Sequence, residues 1–154
     1  VDGGSDDEGV STEAQGRAIL QVLGWDRRNH ILAAVYVARS DVALIVRNAA
    51  IHVWKTVVAN TPRTLREILP VLTNRVITAL ASPGSDQLQT AAKCLGELVR
   101  KLGDVLLEEI LPILREGLDA EDASIRQGVC FGLSEVVTSS SRQQLHDHME
   151  ILIP

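Results

Sequence analysis

The side chains in this sequence best suited to meet a ligand are cations. Arg47, Lys55, Arg63, Arg66, Lys93, Arg100 and Lys101 recur through its middle, mostly outside the apolar stripes of the helices expected to carry them. Cations at reachable spacing can grip phosphates without reading bases, and the signature of such binding is salt dependence. Residues 14–103 hold twelve Lys or Arg against five acids; residues 1–13 hold five acids and no cation, and residues 104–154 three Arg and ten acids. A formal net charge of −5 hides this polarity. Asymmetry of that kind informs about partners, not about fold. The competing reading has Arg47 serving the repeat architecture and the others solvated, or paired with Glu67 and Glu97. No aromatics are interleaved on that face, which argues against single-stranded nucleic acid.

Catalytic or metal chemistry finds no comparable set. Glu108–Glu109 and Glu121–Asp122 are neighbours on helix or turn surfaces and are not opposed across a cleft. Ser134 has no visible base, and no glycine-rich phosphate loop occurs. His146 and His148 flank Asp147, but positions i and i+2 of a helix point to different sides, so joint ligation is disfavoured. Cys94 and Cys130 lie 36 residues apart without a CxxC pattern, which suits buried, reduced thiols in the cytosol or nucleus. The expectation is a non-enzyme with no cofactor, no metal and no small-molecule substrate. The longest apolar run is 31–38, too short for a membrane span, and the acidic N-terminus is no signal peptide.

The elements that must position these cations announce themselves by repetition. EILPVL at 67–72 returns as EILPIL at 109–114, 42 residues later, and fades into EILIP at 150–154. A period near 40 residues marks stacked helical units, each too small to bury its own apolar face. An apolar share of 45% supplies the core, built from Leu, Val, Ile and Ala with four aromatics, Trp25, Tyr36, Trp54 and Phe131. Helix packing suits that composition better than a β-sandwich does.

Residues 1–11 (VDGGSDDEGVS) read as a flexible acidic linker. Ser11 or Thr12 can cap a helix over 13–23 that Gly24 ends. A helix over 29–38 follows, with Ile31, Leu32, Val35 and Tyr36 inward, then a turn at Ser40–Asp41. The helix over 42–60 places Ile45, Val46, Ala49, Ala50, Val53 and Val57 on one stripe, with Trp54 plugging a gap between helices. Pro62 opens a helix to Ala81 whose apolar phase (Leu65, Ile68, Leu69, Leu72, Val76, Leu80) continues through Pro70, so a kink is expected and not an end. Beyond a Pro83–Gly84 turn, 86–102 is helical with Leu88, Ala91, Ala92, Leu95 and Val99 inward. The helix over 105–118 repeats the proline type around Pro112. The helix over 124–138 buries Ile125, Gly128, Val129, Gly132 and Val136, the two glycines letting helices approach closely. A last helix starts near Arg142. The domain reading is a linker over 1–11 and an array over 12–154, with hairpins over 12–60, 62–102 and 104–140 and a cut one over 142–154. The sequence thus reads as a piece of a longer array.

Pro112 followed 13 residues later by Ile125 and Arg126 resembles the HEAT repeat, as do Asp41, Val46 and Arg47 in an earlier unit. The pattern has departures: Ala33 stands at the first proline position, Gln89 at the middle arginine and Ala120 at the third aspartate. The resemblance implies an all-α superhelical array of the HEAT/armadillo type, in which the aspartate and arginine link neighbouring repeats. Longer strings, DRRNHILAAVYVARSD (26–41), HVWKTVVANTPRTLREILP (52–70), LGELVRKLG (95–103) and RQGVCFGLSEVV (126–137), resemble one family more closely. It is that of the giant HEAT-repeat translational activators of general amino-acid control. That resemblance implies a cytoplasmic scaffold on stalled or colliding ribosomes. Such a scaffold helps activate the protein kinase that phosphorylates translation initiation factor 2 alpha in amino-acid starvation, with an ABC-type ATPase as a further partner. The alternative is a nuclear-transport or trafficking adaptor binding peptides or helices.

Overall fold

A computed structural model describes residues 3–82 and 84–153, except for the side chains of 3–8, Met149 and Leu152. The regular elements of the described residues are helices: α1 (Gly3–Ala38), α2 (Leu44–Val57), α3 (Thr61–Leu80), α4 (Ser85–Leu102), α5 (Asp104–Gly117), α6 (Ala123–Ser139), α7 (Arg142–Asp147) and α8 (Met149–Leu152). The class is all-α and HEAT-like, as expected. Both α3 and α5 run on through their prolines, Pro70 and Pro112. Each proline forfeits a hydrogen bond, but it sits exposed beside leucines that the core holds, Leu69 and Leu72 or Leu111 and Leu114. The expected turn residue Pro83, Pro154 at the end of the EILIP string, and Val1 and Asp2 of the expected linker lie outside the described residues.

Two compact units divide the chain, Val1–Leu72 and Thr73–Pro154, so the boundary falls within α3 and not at a turn between hairpins. In the first unit, α1 corrects the linker reading, because the helix already begins at Gly3. No proline interrupts 3–23, and extending a formed helix by a residue is cheap compared with nucleating it. Thr12 is therefore inside a helix and not at its start; its hydroxyl donates to the Lys55 carbonyl at 3.4 Å. Gly24 does break the helix, with φ 78° and ψ 168°, a conformation that suits a residue without Cβ. The helix resumes at once, at Trp25 and not at Asn29.

The core of this unit joins Leu32, Ala33 and Tyr36 of α1 to Ala50 and Trp54 of α2 and to Leu65, Ile68, Leu69 and Leu72 of α3. Trp54 fills the gap predicted for it. Its ring meets Tyr36 edge-on with centroids 5.1 Å apart, and its Nε1 donates to Thr61 Oγ1 at 3.0 Å. The guanidinium of Arg39 lies 4.8 Å from the Tyr36 centroid and 5.8 Å from that of Trp54. The stripe expected on α2 is corrected: Ile45, Val46, Ala49 and Val53 are exposed, Ile45 to 81%. Ala50 does face inward as expected, but Trp54 is the larger anchor, and it turns α2 so that Trp54 and then Val58 join Ala50 there. Ile31 is likewise exposed, while Leu32, Ala33 and Tyr36 take the inward positions.

The second unit is built on leucine. Ala91, Cys94, Leu95, Leu98 and Val99 of α4 bury against Leu106, Leu107, Ile110, Leu111 and Leu114 of α5 and Val129 and Val136 of α6, with Val76 and Leu80 from the end of α3. Fully burying each such side chain stabilises by roughly 1.5–3 kcal/mol before entropy is counted. The close-packing role expected of Gly128 is visible in the backbone: a Cβ there would lie 2.3 Å from the Leu80 carbonyl oxygen and 2.6 Å from its carbon. Ile125 departs from expectation by being partly exposed, at 37%. Cys130 is exposed and only Cys94 is buried; neither is in a disulfide.

Gly128→Ala must push α6 off Leu80 and is expected to cost about 1–3 kcal/mol. Gly9→Ala, where a Cβ meets nothing within 4 Å, should be neutral or stabilise by up to about 1 kcal/mol. Urea midpoints of the two variants check the contrast; equal midpoints would mean the helices do not touch.

Candidate functional site

Each cation singled out by the sequence now has a place and, in several cases, a task. Arg47 is half-buried near the start of α2, and its Nη1 donates to the backbone carbonyls of Asp41 at 2.7 Å and Val42 at 3.0 Å. Those carbonyls form the turn between α1 and α2. Asp41 tightens the same turn by accepting from the Ala43 amide at 2.9 Å. Arg126, near the start of α6, repeats the arrangement with Ala120 O at 2.6 Å and Glu121 O at 2.7 Å, closing the turn after α5. Asp122 caps α6 by accepting from Ser124 N at 2.8 Å.

This corrects the expected ladder. The guanidinium bonds of both arginines reach back six and five residues within their own hairpin. The acceptors are main-chain carbonyls, which every residue type supplies, so Ala120 serves as well as Asp41 does. The Val46 and Ile125 positions before the two arginines are partly exposed. At the middle hairpin Gln89 is too short for the same reach and donates to Ser85 Oγ at 3.3 Å. That turn is instead tied by the Ser82 hydroxyl to Gln87 Oε1 and by Gly84 N to Ser82 Oγ at 3.3 Å.

The remaining cations divide between the units. In the first, Lys55 is exposed on α2, and Arg63 and Arg66 are exposed on the first turns of α3. Arg63 Nε pairs with Glu67 Oε1 at 3.2 Å, and the other oxygen of Glu67 takes Arg28 Nη1 at 2.8 Å. In the second, Lys93, Arg100 and Lys101 are exposed on α4, the latter two lying two helical turns beyond the first. Lys101 Nζ pairs with Glu97 at 3.0 Å, and Arg100 Nη1 donates to Ser139 Oγ at 3.1 Å. Exposed pairs of this kind contribute little stability and leave the charges addressable.

The acidic and histidine motifs also find places. Glu108, Glu121 and Asp122 are exposed. Of the His146–Asp147–His148 motif, His148 turns inward: its Nε2 lies 3.1 Å from Asp104 Oδ1, tying the end of α7 to the start of α5. Among the described residues no group of three or more His, Cys, Asp or Glu is arranged to hold a metal ion. No helix of the described residues is long and apolar enough to cross a membrane.

Three contacts were not legible in the sequence. Arg39 against Tyr36 and Trp54, Arg28 sharing Glu67 with Arg63, and His148 on Asp104 each join residues of different elements. The Arg47 and Arg126 clamps did carry a signal, an arginine at the same offset into each second helix.

Helical hairpins of this type, with turns closed by arginine and charged outer faces, define the class of HEAT-like repeat segments. The curated relatives narrow the class. Over 150 residues, 97% of its length, the chain is 51% identical to the stalled ribosome sensor GCN1 of Mus musculus. It is 41% identical over 136 residues to the eIF-2-alpha kinase activator GCN1 of Saccharomyces cerevisiae, covering 88% of this chain and 5% of that protein. With the Arabidopsis thaliana protein ILITYHIA it shares 64% identity over 104 residues, 68% of this chain and 4% of that protein. The chain is a homologue of a segment of GCN1 proteins, and it spans about 6% of the length of the mouse relative. No family model and no solved structure matches it.

Arg47→Gln is expected to lose about 1–2 kcal/mol, because one charged donor serves two carbonyls at a half-buried turn. Arg126→Gln, at a more exposed turn, should lose about 1 kcal/mol or less. Hydrogen exchange at the first amides of α2 and α6 checks this, with faster exchange confined to the turn whose arginine is missing. Unchanged exchange at both turns would show that the clamps do not hold them.

Proposed function

We propose that this chain is a non-enzymatic scaffold segment of a ribosome-associated translational regulator. The parent protein would promote activation of the kinase that phosphorylates translation initiation factor 2 alpha, under amino-acid starvation or ribosome stalling. The observation that carries the proposal is the 51% identity over 150 residues to a protein named for sensing stalled ribosomes. Relatives in yeast and Dictyostelium discoideum named as eIF-2-alpha kinase activators support it. All of these names describe translation control, so the transport-adaptor reading is not favoured.

A scaffold works by geometry. Helical hairpins with buried aliphatic cores hold their outer faces at fixed spacing, and partners are recognised by side chains on those faces. In this reading the segment acts in the cytoplasm and supplies rigid docking surface within a longer protein. The kinase and an ABC-type ATPase are partners of the whole protein. The exposed cations Lys55, Arg63, Arg66, Lys93, Arg100 and Lys101 are its candidate contacts with ribosomal RNA phosphates; Arg47 is committed to its turn and is better counted with the framework.

The test is ribosome co-sedimentation of a longer chain containing this segment, across a salt series. A variant with Lys55, Arg63, Arg66, Arg100 and Lys101 changed to Glu is compared with the parent. Phosphate binding predicts weaker sedimentation and a flatter dependence on salt, by roughly one in slope for each phosphate released. Equal sedimentation of both would remove phosphate binding from this segment and leave it a spacer or a protein-docking stretch.

A further inference from the structure

The helical turn that follows Gly24 presents an indole to solvent. Trp25 is 56% exposed although it is one of only two tryptophans in the chain, and the other, Trp54, is buried. The guanidinium of Arg28 sits over the Trp25 ring, 5.4 Å from its centroid. That guanidinium is fixed from behind: its Nη1 donates to Glu67 Oε2 at 2.8 Å and to Asn29 Oδ1 at 3.0 Å. Glu67 also holds Arg63, whose side chain is 77% exposed, and Arg66 follows on the exposed side of the same helix. A single carboxylate thus serves two guanidiniums. Asp26, next to Trp25 in sequence, faces His30 of its own helix at 3.7 Å. Excess positive charge is left beside an accessible aromatic plane, all within the unit Val1–Leu72.

A ring with a cation on one face still offers its other face. From this arrangement we infer that Trp25, with Arg63 and Arg66, forms a contact for single-stranded RNA. An unpaired base stacks on the open face of the indole, and the two arginines take neighbouring phosphates. Base stacking on aromatic side chains combined with backbone-tracking cations is the general chemistry of single-strand binding. Carboxylates of an acidic peptide would satisfy the arginines equally well, but they make no use of the flat face of the indole, which a base covers by stacking. The sequence reading found no aromatic interleaved with Arg63 and Arg66; the fold supplies one, since Arg28 joins Trp25 to the Glu67 that holds Arg63. The inference rests on the ribosome-associated reading and deepens it by naming the partner chemistry at one place.

The experiment is a fluorescence titration of the 154-residue chain with a ten-nucleotide oligoadenylate RNA, repeated from low to high salt. Quenching of Trp25 is expected, and it disappears in Trp25→Ala because buried Trp54 keeps its environment. Anisotropy of labelled RNA should show binding about 5- to 150-fold weaker for Trp25→Ala, with Trp25→Phe retaining most of it. Arg63→Gln and Arg66→Gln should each reduce the salt slope by about one. Since Trp25 is exposed, its variants keep their helix content, which circular dichroism verifies. Absence of quenching in the parent chain, or equal RNA affinity of Trp25→Ala, overturns the inference. So does a polyglutamate peptide that quenches Trp25 and displaces the RNA, which would make the partner an acidic protein. If RNA binding fails while ribosome co-sedimentation persists, the contact falls and the scaffold reading stands.

Discussion

Two antiparallel helices can bury their aliphatic faces against each other only while the turn between them stays shut, and in this protein an arginine holds it. Arg47 closes the turn between α1 and α2, and Arg126 the turn between α5 and α6, each by donating to two carbonyls that would otherwise lack helical partners. A carbonyl oxygen carries partial negative charge, so a guanidinium suits it electrostatically as well as geometrically. With the turn fixed, the register of the paired helices follows. In the first unit that register sets Tyr36 against Trp54. In the second it sets Gly117 of α5 against Val129 of α6. The side chains left outside are then displayed at constant positions, which is what a docking surface requires.

The same framework separates cations that maintain the fold from cations that remain addressable. Arg47 and Arg126 are committed to turns, and Arg28 is held on Glu67 and Asn29. Arg63, Arg66, Lys55, Lys93, Arg100 and Lys101 keep their head groups at the surface, some of them beside a carboxylate. Charge density along the sequence does not make this distinction, because a guanidinium counted as +1 contributes little to an external partner once it lies among carbonyls. Identity to GCN1 proteins gives the surface a biological setting, and the geometry says which residues are available in it.

Much of the fold was legible from one sequence. The repeated EILPVL and EILPIL strings, with leucines in phase on both sides of the proline, indicated helices that continue through Pro70 and Pro112, and they do. Gly24 read as a break because only a residue without Cβ takes positive φ readily. Small residues at 128 and 132 read as a close helix approach for a related reason. The stripe on α2 failed because several aliphatic faces were available on that helix. Trp54, through its ring contact with Tyr36 and its bond to Thr61, decided which of them turned inward.

The sequence by itself determined the all-α class, the approximate helix limits beyond Gly24, the aliphatic core of α3 to α5 and the family of relatives. These follow from local periodicity, from backbone stereochemistry and from strings long enough to be specific. Only the tertiary structure decided that the acidic start continues as helix, that Cys130 faces out, and that the arginines bind their own turns. It alone decided that Trp25 stands over Arg28 beside the Glu67 pair. Each of these depends on which of several sterically acceptable neighbours a side chain meets. That choice is made by packing between residues far apart in sequence, 39 positions in Arg28 with Glu67 and 44 in His148 with Asp104, and periodicity carries no record of it.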